Sequence, residues 1–127
     1  MARFLKSREE SDGKSPGSLI FIGDQKVDSA KIRLIDYDSV SLTEKELKDI
    51  HATSHLKDTP TVTWININGL HDIDMIQDIG QVFELHPLVM EDILNTGQRP
   101  KLEEFDDYIF IVLKMVRFDK ATEAIIN

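Results

Sequence analysis

The chain has 127 residues, 41% of them apolar, with 15 Lys and Arg against 23 Asp and Glu and a formal net charge of −8. This length and apolar content suit one domain with a real core, and the charge argues against non-specific binding to nucleic acid or to an anionic membrane surface. Cysteine is absent, which excludes disulfides, thiolate zinc sites, iron–sulfur clusters and cysteine nucleophiles, and fits a reducing compartment.

Residues 1–17 are charged, contain Ser, Gly and Pro, and read as a mobile tail without the apolar h-region of a signal peptide. Ser18-Leu-Ile-Phe-Ile22 reads as a first strand. Lys31-Ile-Arg-Leu-Ile-Asp-Tyr37 alternates and reads as a second, antiparallel to the first, with Ile32, Leu34 and Asp36 on one face. Ser41-Leu-Thr-Glu44 and Thr43-Glu-Lys-Glu46 resemble capping boxes, which predicts a short helix to about His51. Asp58-Thr-Pro60 breaks the chain. Thr61-Val-Thr-Trp-Ile-Asn-Ile67 is rich in β-branched residues, reads as a strand with Trp64 in the core, and is stopped by Asn68-Gly69.

Asp72 suits a helix cap, and Ile73, Ile76, Ile79, Val82 and Phe83 recur behind it at helical spacing, to about Glu84. Pro87 fits the first turn of a further helix ending near Asn95-Thr-Gly97. Within it, Leu88, Val89, Met90, Ile93 and Leu94 form an apolar stripe, with Glu91 and Asp92 turned to the other side. Arg99 to Phe105 reads as extended. Tyr108 to Phe118 reads as a long central strand, and Ala124 begins another. The sequence stops inside that strand, so it reads as a piece of a longer protein. No run reaches the roughly 18 apolar residues of a membrane helix, so the chain reads as soluble.

Several groups could carry chemistry, each with a plainer alternative. His51 and His55 stand four apart, but no Glu accompanies them as a zincin base, and a solvated helix end accounts for them. His71-Asp72 is one dipeptide of metal-dependent phosphohydrolases, yet Asp72 is accounted for as a cap. Glu103, Glu104, Asp106 and Asp107 cluster where a solvated turn is expected. No phosphate loop, Ser-His-Asp set or nucleophile elbow occurs, so enzymatic function has little support. Glu91 and Asp92 remain: adjacent carboxylates that packing leaves available suit a hard, oxygen-seeking cation, and an exposed polar face is the alternative.

Three stretches in order, Thr63-Trp-Ile-Asn-Ile-Asn-Gly69, Leu85-His-Pro-Leu-Val-Met-Glu-Asp-Ile-Leu94 and Gln98-Arg-Pro-Lys101, resemble the cytoplasmic N-terminal domain of the CorA family of magnesium and cobalt transport proteins. Phe105-Asp-Asp-Tyr-Ile-Phe-Ile-Val-Leu-Lys-Met115 continues the likeness, which extends over about residues 16 to 127. The resemblance implies an α/β fold: a mixed parallel and antiparallel sheet flanked by helices as an α/β/α sandwich, truncated before its last strands, over residues 18–127. It implies a homopentameric channel in the full-length protein, and a non-enzymatic divalent-cation sensing domain on the cytoplasmic side of the membrane.

By motif position the resemblance implies Asp92 first, and Glu91 second, as ligands of regulatory Mg2+, or of Co2+ or another divalent cation. The cation would lie between subunits and be completed by a stalk Asp that this sequence lacks. Contact with the membrane would come only through segments beyond this chain, and neighbouring subunits and cations are the implied partners. The same domain in a zinc-transporting relative, and an oligomerisation module without an ion role, are the alternatives.

Overall fold

The computed structural model describes residues 13–16 and 18–126. The expected tail, apart from residues 13–16, lies outside them. The described residues fall into two compact units that divide after Thr96.

In the first unit, strand β1 (Lys31–Tyr37) is central to a three-stranded antiparallel sheet between β2 (Leu42–Leu47) and β3 (Val62–Asn68). Alternation sorts its residues. Ile32 and Leu34 are buried and pair with Ile67 and Ile65 of β3 on one face. Asp36 continues that face, where its Oδ1 accepts hydrogen bonds from the hydroxyls of Thr61 (2.9 Å) and Thr63 (2.6 Å). A carboxylate reaches the inner face here because two threonines satisfy it.

Strand β2 overturns the helix expected after Ser41. The chain instead turns at Asp38, whose Oδ1 accepts from the backbone N–H groups of Val40 (2.8 Å) and Ser41 (2.7 Å), and returns as an edge strand. Cross-strand pairing with β1, including an exposed Arg33–Glu44 ion pair, outweighs the local capping signal. The helical turn comes later, as a 3₁₀ helix over Ile50–Asp58 capped by Asp49. Ile50 and Thr53 are buried and Leu56 half-buried, a spacing of three that matches the three residues per turn of a 3₁₀ helix.

Helix α1 (Ile73–Val82) starts at Asp72, whose side chain accepts from the Met75 N–H at 3.0 Å. It ends in a Schellman turn. Glu84 adopts φ +54°, its N–H reaches Gln81 O (3.4 Å), and the Leu85 N–H reaches Gly80 O (2.9 Å). Helix α2 (Pro87–Leu94) follows at once. Ile50, Ile76, Ile79, Met90 and Leu94 close over Ile32, with Leu47, Ile65 and Ile67 packed around them. All three helical segments therefore cover one face of the sheet.

The opposite face carries Tyr37, Leu42, Val62 and Trp64, all exposed. Trp64 is 62% accessible, so the core position expected for it does not hold. Alternation places it opposite the Ile65–Ile67 face, away from the helices.

The strand expected at 18–22 is reduced to one parallel bridge, Ile22 to Asn95. The Ile22 N–H donates to Leu94 O (2.9 Å) and the Thr96 N–H to Ile22 O (3.0 Å), so this segment borders the end of α2 rather than β1.

The second unit holds two hairpins, β4 (Lys101–Glu104) with β5 (Ile109–Val112), and β6 (Arg117–Asp119) with β7 (Ala124–Ile126). The long central strand expected from Tyr108 to Phe118 is instead two short ones, broken after Val112, with Ile109 and Ile111 exposed. The α/β class holds, with antiparallel ladders and, among the described residues, one isolated parallel bridge.

Candidate metal site on helix α2

Three local features set α2 in place. Pro87 occupies the first turn, where its missing N–H removes no intrahelical bond. His86 caps the helix, its Nδ1 accepting from the Leu88 N–H at 3.2 Å. Val89, Met90 and Leu94 are buried and Ile93 is half-buried, which anchors one side. Leu88 departs from the expected stripe and is exposed.

With that side anchored, Glu91 and Asp92 are both half-buried. They line a cavity of about 160 Å³ with Asn95 on one wall and Lys14, Ser15, Ser18, Ile20 and Ile22 on the other. The Ile22 bridge to the end of α2 brings the second wall into place. Both carboxylates are engaged by other groups of the chain. Chemically, the lining residues offer carboxylate, amide and hydroxyl oxygens and one ammonium group. Such a set suits a hard cation that keeps part of its water shell. Among the described residues, no three or more His, Asp and Glu side chains gather closely enough to hold a metal ion. The pair is thus at most part of a coordination sphere.

The other candidates separate. His51 and His55 are both exposed on the 3₁₀ helix, where a four-residue step rotates them about 120° apart rather than onto one face. His51 Nε2 lies 3.8 Å from Asp78 Oδ1. His71 places its ring edge-on to Phe21 with centroids 6.5 Å apart, while Asp72 is occupied as a cap. Glu103 pairs with Lys101 at 2.9 Å, and Asp106 and Asp107 are exposed in the β4–β5 turn. The cavity's second wall was not legible in the sequence. Lys14, Ser15 and Ser18 read as a tail and a strand start, and Asn95 as a helix end; their spacing carries no signal that would join them to α2.

Among the described residues, no helix is long and apolar enough to cross a membrane. The family described as CorA-like Mg2+ transporter protein matches residues 60–126, more than half of the chain and a stretch that includes α2. A cobalt/magnesium transport protein CorA from Thermotoga maritima is 44% identical over 108 residues, which cover 85% of this chain and 30% of that relative. The chain therefore spans less than a third of the relative's length. With a match that takes in all of β3, α1 and α2, the chain belongs to the CorA-like Mg2+ transporter family.

Proposed function

We propose that residues 18–127 are the cytoplasmic divalent-cation sensing domain of a CorA-type magnesium and cobalt channel. In this reading Asp92, with Glu91 beside it, supplies one half of a regulatory Mg2+ site between neighbouring subunits of a homopentamer. The observation that carries it is the placement of two adjacent, half-buried carboxylates of α2 in the lining of a cavity, in a chain of a magnesium-transporter family. Two carboxylates fall short of an octahedral oxygen shell, so water and a donor from the next subunit complete it.

Carboxylates from two subunits repel one another when no cation lies between them. A bound Mg2+ bridges them and favours the closed assembly, and its loss at low cytosolic concentration frees the subunits to move. The cation biases the equilibrium only through its differential affinity for the two arrangements. The domain performs no catalysis, and it meets the membrane through other segments of the full-length protein.

Titration of the full-length protein with Mg2+, Co2+ and Zn2+, read by calorimetry and by protection from proteolysis, tests this. Asp92→Ala should weaken Mg2+ binding about tenfold or more, since even outer-shell partners of a metal contribute that much. Glu91→Ala should have the smaller effect. Unchanged Mg2+ binding in Asp92→Ala refutes the site. A response to Zn2+ alone assigns the domain to a zinc transporter, and no response to any cation leaves an oligomerisation module.

A further inference from the structure

The end of β3 concentrates a different chemistry. Gly69 has φ +100°, and a Cβ built on it would lie 2.8 Å from Ala30 Cα. Backbone conformation and close approach both demand glycine at this position. The residue before it is Asn68, exposed, the last of β3 and paired with Lys31 at the end of the ladder. The Gly69 N–H therefore lies beyond the final ladder pair, while the Gly69 carbonyl accepts the Asp72 N–H at 3.4 Å.

We infer that Asn68 is a site of spontaneous deamidation in the folded protein. The Gly69 backbone nitrogen loses its proton to solvent base and attacks Asn68 Cγ. A new C–N bond forms, and the side-chain amide nitrogen leaves as ammonia. Water then opens the five-membered imide at either carbonyl, giving aspartate or isoaspartate. The balance is one water in and one ammonia out, with no oxidant or reductant. A side chain on the following residue obstructs the attack, and Gly69 has none.

Asn66 is a control within the same strand. It is exposed on the same face, but β-branched Ile67 follows it. The requirement of the fold for glycine at 69 thus creates the reactive pair. The isoaspartyl product routes the main chain through Cβ at the step between β3 and the α1 cap, and either product adds a negative charge. Isoaspartate is in turn a substrate for an isoaspartyl methyltransferase that uses S-adenosylmethionine.

The test is incubation of the folded chain in mildly alkaline buffer, then peptide mass spectrometry resolving Asn66 from Asn68 and methyl transfer by isoaspartyl methyltransferase. Asn68 should gain one mass unit and the protein should accept methyl groups, at a rate rising with pH, while Asn66 stays an amide. Asn68→Gln should abolish the mass gain and lower methyl acceptance to the level set by Asp12–Gly13, a pair that can form isoaspartate without a change of mass. The inference is overturned if folded protein keeps Asn68 intact over a period in which urea-denatured protein converts it, or if Asn66 converts equally fast.

Discussion

Helices α1 and α2 meet at Gly80 and Met90. A Cβ on Gly80 would lie 2.6 Å from Met90 Cε, 2.7 Å from its Sδ and 3.2 Å from its Cγ. Two effects oppose one another in Gly80→Ala. Removing a glycine from a helix interior stabilises by roughly 0.8–1 kcal/mol. Forcing a methyl into a filled core costs about 1–3 kcal/mol. Met90 is 4% exposed, so its flexible end has little room to swing away, and the cost wins. Gly80→Ala should destabilise by ~1 kcal/mol net, the difference between those two ranges.

Met90→Ala alone should cost about 2–4 kcal/mol through lost burial and the cavity it leaves. In the double variant the clash disappears, the helix gain stays, and the new methyl partly fills the cavity. The pair should then be less destabilised than the sum of the singles by ~2 kcal/mol, within the range seen for residues in contact. Urea unfolding followed by fluorescence of Trp64, the only tryptophan, measures all four proteins in the unit that carries both helices. Additivity within about 0.5 kcal/mol would refute the packing argument.

At the end of α1, Glu84→Gly should raise stability by ~0.5–1 kcal/mol, because a side chain in the left-handed region costs more than glycine's extra unfolded-state freedom. The Lys57–Glu84 ion pair it removes is mostly exposed and offsets little of this, and a loss of stability in urea unfolding would contradict the reasoning. Hydrogen bonds from the Val40 N–H, the Ser41 N–H and the Ser41 hydroxyl, in that order, hold the Asp38 carboxyl below its usual 3.8. Because its folded value is depressed, its contribution to the β1–β2 turn is present above the usual aspartate range and lost as pH falls through the folded value. Carbon-13 NMR of the Asp38 carboxyl should give a midpoint below 3.8, and a midpoint at or above it would remove the turn bonds from the account.

The fold was legible wherever local pattern and tertiary environment agree. The alternation of Ile32 and Leu34, the cap at Asp72 with its isoleucine stripe, and Pro87 at a helix start all lie where the sequence places them. It was illegible where pairing partners decide. Leu42 to Leu47 carries capping signals and three charged residues, and becomes a strand because β1 offers it hydrogen bonds. Trp64 misled for a related reason. An apolar strand has two faces, and composition does not show that only the Ile65–Ile67 face is covered in this chain.

The candidate site divides along the same line. Glu91 and Asp92 are neighbours in sequence, so a helical repeat is enough to place them together opposite Val89, Met90 and Leu94. Their cavity wall is not local. Ser18 and Ile22 meet α2 across more than seventy residues, through the hydrogen bonds that join Ile22 to Leu94 and Thr96. Periodicity reports which way a side chain points and carries no information about what arrives opposite it. A site built from one helix and a distant segment is therefore half visible in sequence. The same logic applies one level up: if the cation bridges subunits, the partner carboxylate lies outside this chain, and α2 displays only the half that its own helical repeat encodes.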